Sequence, residues 1–322
     1  MIRIICDANP TRRYTPEELL HMHRRGEALT VFDGSTGEGM RVKAHDLGNG
    51  HMEITGTAPT VWVEREWNHI ALETYLERVI ERREEEAEEM RERSLTIAAN
   101  RAKVKVRKLC KAMGSDTLLT LTYRANETDL ERSKKDLKEF VRRMRRYMPE
   151  FKAVAVYEYQ ARGAIHWHIA TANVPRVFER KNDQGQTYQV KSFDAIRSVW
   201  RGVTKERGGN IDLARRKRNS MRSPARIASY IAKYIVKAFR EGQAFTNRYS
   251  TFGDFEMGKP VDLGWFPRVA DAVSACYDCM LQGQAVVYSE LSRWRDWFVL
   301  HAEVPKRPAT RFLEGGGYAG IN

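Results

Sequence analysis

A chain of 322 residues with 42% hydrophobic and 10% aromatic side chains can bury a sizeable core, which excludes a disordered protein. Its formal net charge of +13 is unevenly placed: residues 1–100 carry 13 Lys and Arg against 19 Asp and Glu, residues 101–322 carry 42 against 23, so the second part is expected to meet a polyanion. Cys6, Cys110, Cys276 and Cys279 are too few and too scattered for a disulfide framework, and no run reaches membrane-span length, so a soluble protein of a reducing cytoplasm without a leader peptide is expected.

The first element is a helix opening at Thr15, with Pro16 at its first position and running through Arg24. It holds His21-Met22-His23, whose imidazoles diverge by roughly 200° on a helix and cannot share a ligand. From Ala28 to Val63 four short β-like runs (LTVF, MRVKAH, HMEITG, TVWV) alternate with turns such as Asp33-Gly34 and Gly48-Asn49-Gly50. Residues 1–66 are expected to form a small module, to which no chemistry is assigned. Residues 67–113 are nearly free of Gly and Pro and rich in Glu, Arg, Leu and Ala, which predicts a helical connector, one long helix or two in series. Its charged centre, Glu81 to Arg93, is expected to be a solvated face.

The basic part opens with Thr117-Leu-Leu-Thr-Leu-Thr-Tyr123, an alternating run that predicts a central strand. Thr128-Asp-Leu-Glu131 has the form of a capping box, and the helix after it carries Leu130, Leu137, Phe140, Val141, Met144 and Met148 on one stripe and Lys and Arg on the other face. Phe151 to Glu158 and Gly163 to Thr171 (GAIHWHIAT) form a predicted hairpin. On a strand His166 and His168 share one face, with Ile165, Trp167 and Ile169 on the other. If even positions pair with even ones, Glu158 joins the histidines, and two imidazoles plus a carboxylate can bind a divalent cation. Ligand type alone leaves magnesium, manganese and zinc open.

Asn182 to Gln186 marks a loop or short hairpin, Ser192 or Asp194 can cap a helix through Val203, and Ile211 to Leu213 is a candidate edge strand. Arg215, Arg216, Lys217 and Arg218 form a cationic block suited to DNA phosphates. A helix is then expected from Ser223-Pro224 to about Phe239, on which Tyr230, Tyr234 and Lys237 fall within an arc of roughly 60°. Gly253 to Pro260 matches GxxxxGK and then places proline where a phosphate loop needs a hydroxyl, so it is rejected as a nucleotide site. Cys276-Tyr-Asp-Cys279 lacks a second pair of ligands and is expected to be a coincidence on a helix. Residues 248–322 are expected to be a helical extension, with Trp294, Trp297 and Phe298 on a helix.

Taken in order, LLTLTY, HWH within GAIHWHIAT, and Tyr230-x-x-x-Tyr234-x-x-Lys237 resemble the three motifs of the HUH endonuclease superfamily, over roughly Ala102 to Asn247. More closely, they resemble the two-tyrosine rolling-circle replication initiators of filamentous and other single-stranded DNA phages. The resemblance implies an α+β fold at 114–247, with a five-stranded antiparallel sheet, the histidines on a central strand and the tyrosine helix across their face. It implies nicking and joining of single-stranded DNA at a replication origin through a 5′-phosphotyrosine, in the cytoplasm of a bacterial host. Tyr230 and Tyr234 are the expected nucleophiles, Lys237 a charge-stabilising cation, and His166, His168 and Glu158 the ligands of Mg2+ or Mn2+. Host helicase and DNA polymerase are the expected partners. Other readings are a relaxase or single-strand transposase with the same chemistry, or a basic DNA-binding protein without catalysis.

Overall fold

The computed structural model describes residues 1–215, 227–234, 249–280 and 283–304 and is a mixed α+β structure with several antiparallel sheets. Strand β1 (Ile2–Cys6), helix α1 (Pro16–Arg24) and strands β2 (Leu29–Thr36), β3 (Met40–Gly48), β4 (His51–Thr57) and β5 (Thr60–Glu64) open the chain. Helix α1 starts as its sequence dictates: Thr15 caps it by accepting from the Glu18 N–H while the Glu18 carboxylate accepts from the Thr15 N–H. His23 is no ligand, being buried with Nε2 3.0 Å from the His69 carbonyl and its ring stacked on His69. Gly48, Asn49 and Gly50 all take positive φ, the left-handed turn that closes β3 onto β4. Asp33-Gly34 is no turn: both lie within β2, where Gly34 sits under the Trp62 ring and a Cβ would meet it at 2.6 Å.

The connector is two helices, α2 (His69–Glu85) and α3 (Ala87–Ala112), meeting at Glu86 within the charged stretch, which is exposed as expected. The main sheet follows, from β6 (Thr117–Tyr123), β7 (Ala153–Tyr159), β8 (Ile165–Thr171), β11 (Gly209–Arg215) and β12 (Tyr249–Phe252), in the order β11-β6-β8-β7-β12 with every pair antiparallel. The histidine strand β8 is therefore its centre. The hairpin β9 (Val177–Lys181) and β10 (Thr187–Lys191) lies apart from it, across the Asn182 to Gln186 turn.

Strand alternation divides this sheet into two unlike faces. Leu119, Leu121, Tyr123, Ala155, Tyr157, Ile165, Trp167 and Ile169 turn to helices α4 (Leu130–Met144) and α5 (Ser192–Thr204), packing on Leu137, Phe140, Met144, Ile196 and Trp200. At about 1.5–3 kcal/mol for each large apolar side chain fully removed from water, this face carries most of the domain's stability. The other face pairs Leu118, Val154, Val156 and Ala170 with Val106, Leu109 and Cys110 of α3 and with Ala228 and Ile231 of a helical segment at 227–234, here α6. Helix α4 begins one residue later than the sequence pattern suggests. Asp129, not Thr128, is its cap and accepts from the Arg132 N–H, because Glu127 is pinned by the Ile165 N–H on its carbonyl and the Asp129 N–H on its carboxylate.

The expected helical extension after 248 is overturned in its described part. One helix, α7 (Val269–Asp278), is accompanied by β13 (Val261–Phe266), β14 (Ala285–Leu291) and β15 (Trp297–Glu303), and these strands join β3 and β4 in a second five-stranded sheet, β13-β3-β4-β15-β14. The runs AVVYSEL and WFVLHAE alternate with a period of two, and cross-strand pairing with β4 decides for strand. Phe298 is buried against Gly56, where a Cβ would meet the ring at 2.0 Å, while Trp294 is 80% exposed. Residues 1–66 thus share a sheet with the C-terminal region and are not a self-contained module. After Gly253 the GxxxxGK segment leads into β13, with no helix N-terminus to receive a phosphate. Cys276 does lie on a helix, buried, its Sγ donating to the Ala272 carbonyl.

Candidate active site

The histidine strand is fixed from behind before its imidazoles enter the argument. Trp167, between the two histidines, points into the apolar face and donates Nε1–H to Ser133 Oγ of α4 at 2.8 Å. Tyr123 at the end of β6 donates to the same Ser133 oxygen and to Asp136. Arg207 closes the network, binding Glu127 and Asp136 at 2.7 Å each, with Arg132 also on Glu127. A one-residue slip of β8 would break the Trp167 bond and turn both histidines into the core.

In front, the register pairs His166 with Glu158 of β7 on one side and Thr122 of β6 on the other, and pairs His168 with Val156 and Thr120. Glu158, His166 and His168 therefore share the face that α6 crosses. Glu158 Oε2 lies 3.8 Å from His168 Nε2, and Thr120 Oγ1 lies 3.4 Å from His168 Nδ1. Burial holds the His166 imidazole below its ordinary pKa, and nearby His168 adds to this, with Glu158 opposing and Arg162 reinforcing it. The neutral imidazole that results is the form that ligates a metal. Among the described residues, however, no group of three His, Cys, Asp or Glu side chains closes to a ready-made metal cage. The donor chemistry suits a divalent cation, but the three side chains are neighbours rather than a preformed set.

Helix α6 brings the phenols. The Tyr234 ring stacks on the His168 imidazole, centroids 3.9 Å apart and planes within 16°, while Tyr230 stands edge-on at 6.5 Å. The Tyr234 hydroxyl donates to the Tyr230 oxygen at 2.6 Å. Burial, reinforced by the hydrogen bond and charge of Tyr230 and by the charge of Glu158, pushes the Tyr234 phenol well above its ordinary pKa. Tyr230 is 44% exposed. The arrangement thus sets one open phenol oxygen, accepting a hydrogen bond, beside a second that retains its proton.

Of the remaining expected residues, Lys237, Arg216, Lys217 and Arg218 lie outside the described residues. Arg215 ends β11 with its guanidinium bonded to the Pro175 carbonyl and the Ser192 hydroxyl, a tether between β11 and the start of α5. Burial, helped by Arg176, lowers its pKa against the pull of Asp116.

Two contributors escaped the sequence reading. Thr120 stands beside His168, and the alternation of LLTLTY already put it on the even face. Arg162 in the hairpin turn donates to the carbonyls of Tyr123 and Arg124, clasping the turn onto β6 near His166. No local pattern announces that contact.

Residues 116–239 match the model of a family of replication-associated proteins, the ORF2 type. The match runs from the residue before β6 past the phenol pair and covers less than half of the 322-residue chain. Over that stretch the chain is similar to a replication-associated protein, which supports a role in replication initiation. No curated protein and no solved structure matches it. No helix among the described residues is long and apolar enough to cross a membrane.

Proposed function

We propose that this chain is an HUH-type rolling-circle replication initiator, a metal-dependent nickase and strand transferase acting on single-stranded DNA at an origin. The observation that carries the reading is the phenol pair stacked over the histidine strand, Tyr234 on His168 and its hydroxyl on Tyr230. The similarity to replication-associated proteins over the same stretch supports it.

In this reading the Tyr230 oxygen attacks the scissile phosphorus. The new O–P bond forms as the P–O3′ bond breaks, leaving a 5′-phosphotyrosine and a 3′-hydroxyl that takes up a proton and primes synthesis. Tyr230 is favoured as first nucleophile because it is open and because the hydrogen bond from Tyr234 stabilises charge growing on its oxygen. Tyr234, whose ionisation burial suppresses, acts second, when the first phenol is esterified and no longer offers the same acceptor. A divalent cation, Mg2+ or Mn2+, held by His166, His168 and Glu158 supplies Lewis-acid polarisation of the phosphate when bound. Thr120 orients His168 from its other ring nitrogen. Lys237 and the block Arg215 to Arg218 are assigned to phosphate charge, and unwinding and elongation to a host helicase and polymerase. Two phenols in contact favour an initiator, which cuts twice, over a relaxase or transposase.

The test is a labelled single-stranded origin oligonucleotide incubated with Mg2+ or Mn2+ and run on a denaturing protein gel. A covalent adduct lost in the Tyr230→Phe/Tyr234→Phe double variant is expected. DNA binding without adduct would leave only the basic DNA-binding reading.

A further inference from the structure

On the face of the domain turned away from the tyrosines, a groove of about 410 Å3 opens between the end of α4, helix α5 and strand β9. Arg143, Arg146, Tyr147, Arg180, Ser198 and Gly202 line it together with one apolar residue, so three guanidiniums and a hydroxyl face it and no carboxylate does.

The arginines are held in place by the fold. Arg143 has Nε tied to Glu139 at 2.7 Å, which aims the rest of its guanidinium across the groove. Its Nη1 lies over Gly202, where a Cβ would approach to 2.9 Å, so this close passage depends on that glycine. Arg180 lies 4.8 Å over the Tyr147 ring, which packs against Phe178 on β9. Ordered guanidiniums lose little rotamer freedom on binding an anion and present paired N–H donors, the geometry that suits phosphate.

We infer that this groove is a second nucleic-acid site, taking the sugar-phosphate backbone of DNA outside the strand being cut. The inference rests on the reading of the chain as a DNA-processing protein, which selects DNA over other polyanions. The phenols pack on the opposite side of the main sheet, with α4 and α5 covering the side that carries the groove. A nucleotide held at Tyr230 therefore cannot also fill it; the occupant is a flanking segment, led around the sheet edge. That edge is β11, from which the sequence continues into Arg216-Lys217-Arg218. Whether the flanking segment is single-stranded or duplex is a question of source, and the phosphodiester chemistry is common to both.

The experiment measures binding of the full chain to a 40-nucleotide single strand and to the duplex of the same length, across a salt series with chelator present so that no covalent step intervenes. The Arg146→Ala/Arg180→Ala variant is expected to bind at least one of them about tenfold more weakly, with the log–log salt slope lowered by about 1.4 for the single strand or about 1.8 for the duplex. Whichever slope falls names the source. Adduct formation on a short oligonucleotide spanning only the cleavage site should be unchanged. Ser198→Glu, a surface change on α5 that sets a carboxylate in the groove, should weaken the same ligand and keeps the test alive if the double variant does not fold. Unchanged slopes for both DNAs in a folded variant overturn the inference, and this is the outcome if the groove takes an acidic protein instead. Because binding is read without reaction, a wild-type chain that forms no adduct sinks the nickase reading and leaves the groove to its own result.

Discussion

The two phenols differ in what surrounds them, and that difference predicts unequal variants. Tyr230→Phe removes the open oxygen and should abolish the first adduct, since Tyr234 is left buried against His168. Tyr234→Phe keeps the nucleophile but takes away the hydrogen bond to its oxygen, so the first cut should slow by about 100-fold and the second transfer should fail. Quench-flow sampling of the adduct separates the two; equal rates in the single variants would refute the asymmetry. The same contact has a spectroscopic signature. Burial is the first cause of the raised Tyr234 pKa and the Tyr230 hydroxyl the next, so Tyr230→Phe should move the Tyr234 ionisation downward toward its ordinary value of 10.0. A pH titration of ring-labelled tyrosine by NMR reads it directly.

At the scale of elements, the site is held by what lies behind β8. Arg207 balances two buried carboxylates, Glu127 and Asp136, so Arg207→Ala should cost about 3–5 kcal/mol in denaturant unfolding, because it leaves charge in the core without a counter-ion. Ser133→Ala and Trp167→Phe should cost about 1–3 kcal/mol each and less than their sum together, since they end one shared bond; strict additivity in the double-mutant cycle would refute that coupling. These elements were largely legible in the sequence, for physical reasons. Period-two alternation marks β6, β7 and β8 and fixes which side chains share a face, so Glu158 could be set beside the histidines without coordinates. The Arg207 contacts span 71 and 80 residues and leave no local trace. The helix start at Asp129 was off by one because a pairing with the distant Ile165 decides it. WFVLHAE looked helical through its aromatics, yet β4 supplies the partner that makes it a strand, and a partner some 240 residues away is invisible to a window of seven.

For the whole molecule, α3 does more than connect. Val106, Leu109 and Cys110 pack on the main sheet, while Arg107 and Lys108 reach Glu53 of the second sheet at 2.8 and 2.9 Å. Across that sheet Glu53 pairs in register with His45 and with His301, whose Nε2 stands 3.3 Å from its carboxylate, and the neighbouring row sets His51 against Glu303 near Lys111. Because β4 and β15 are paired here, removing residues 261–322 should unfold the N-terminal strands as well, seen as lost protection of β3 and β4 amides in hydrogen exchange. The cluster also sets a pH dependence whose sign follows from its burial. Burial holds His301 below its ordinary 6.5, the Arg107 and Lys111 charges adding to this and Glu53 opposing it, so the unfolded chain binds the proton better than the folded one. Its share of stability is therefore full above about pH 7 and falls as the pH drops through the lowered value. Burial pushes Glu53 up, but His301, Arg107 and Lys108 outweigh it and hold the carboxyl well below its ordinary 4.5, so its share is full above that value and is lost on further acidification. Both act in one direction, and stability should decline in two stages as the pH falls from 7 toward 3. His301→Gln should flatten the upper stage, leaving the part due to the buried His166, and Glu53→Gln should flatten the lower one. Thermal melting across pH measures both; a wild-type profile that is level from pH 7 to 5 would show that the ion pairs joining the two sheets do not titrate as their burial requires.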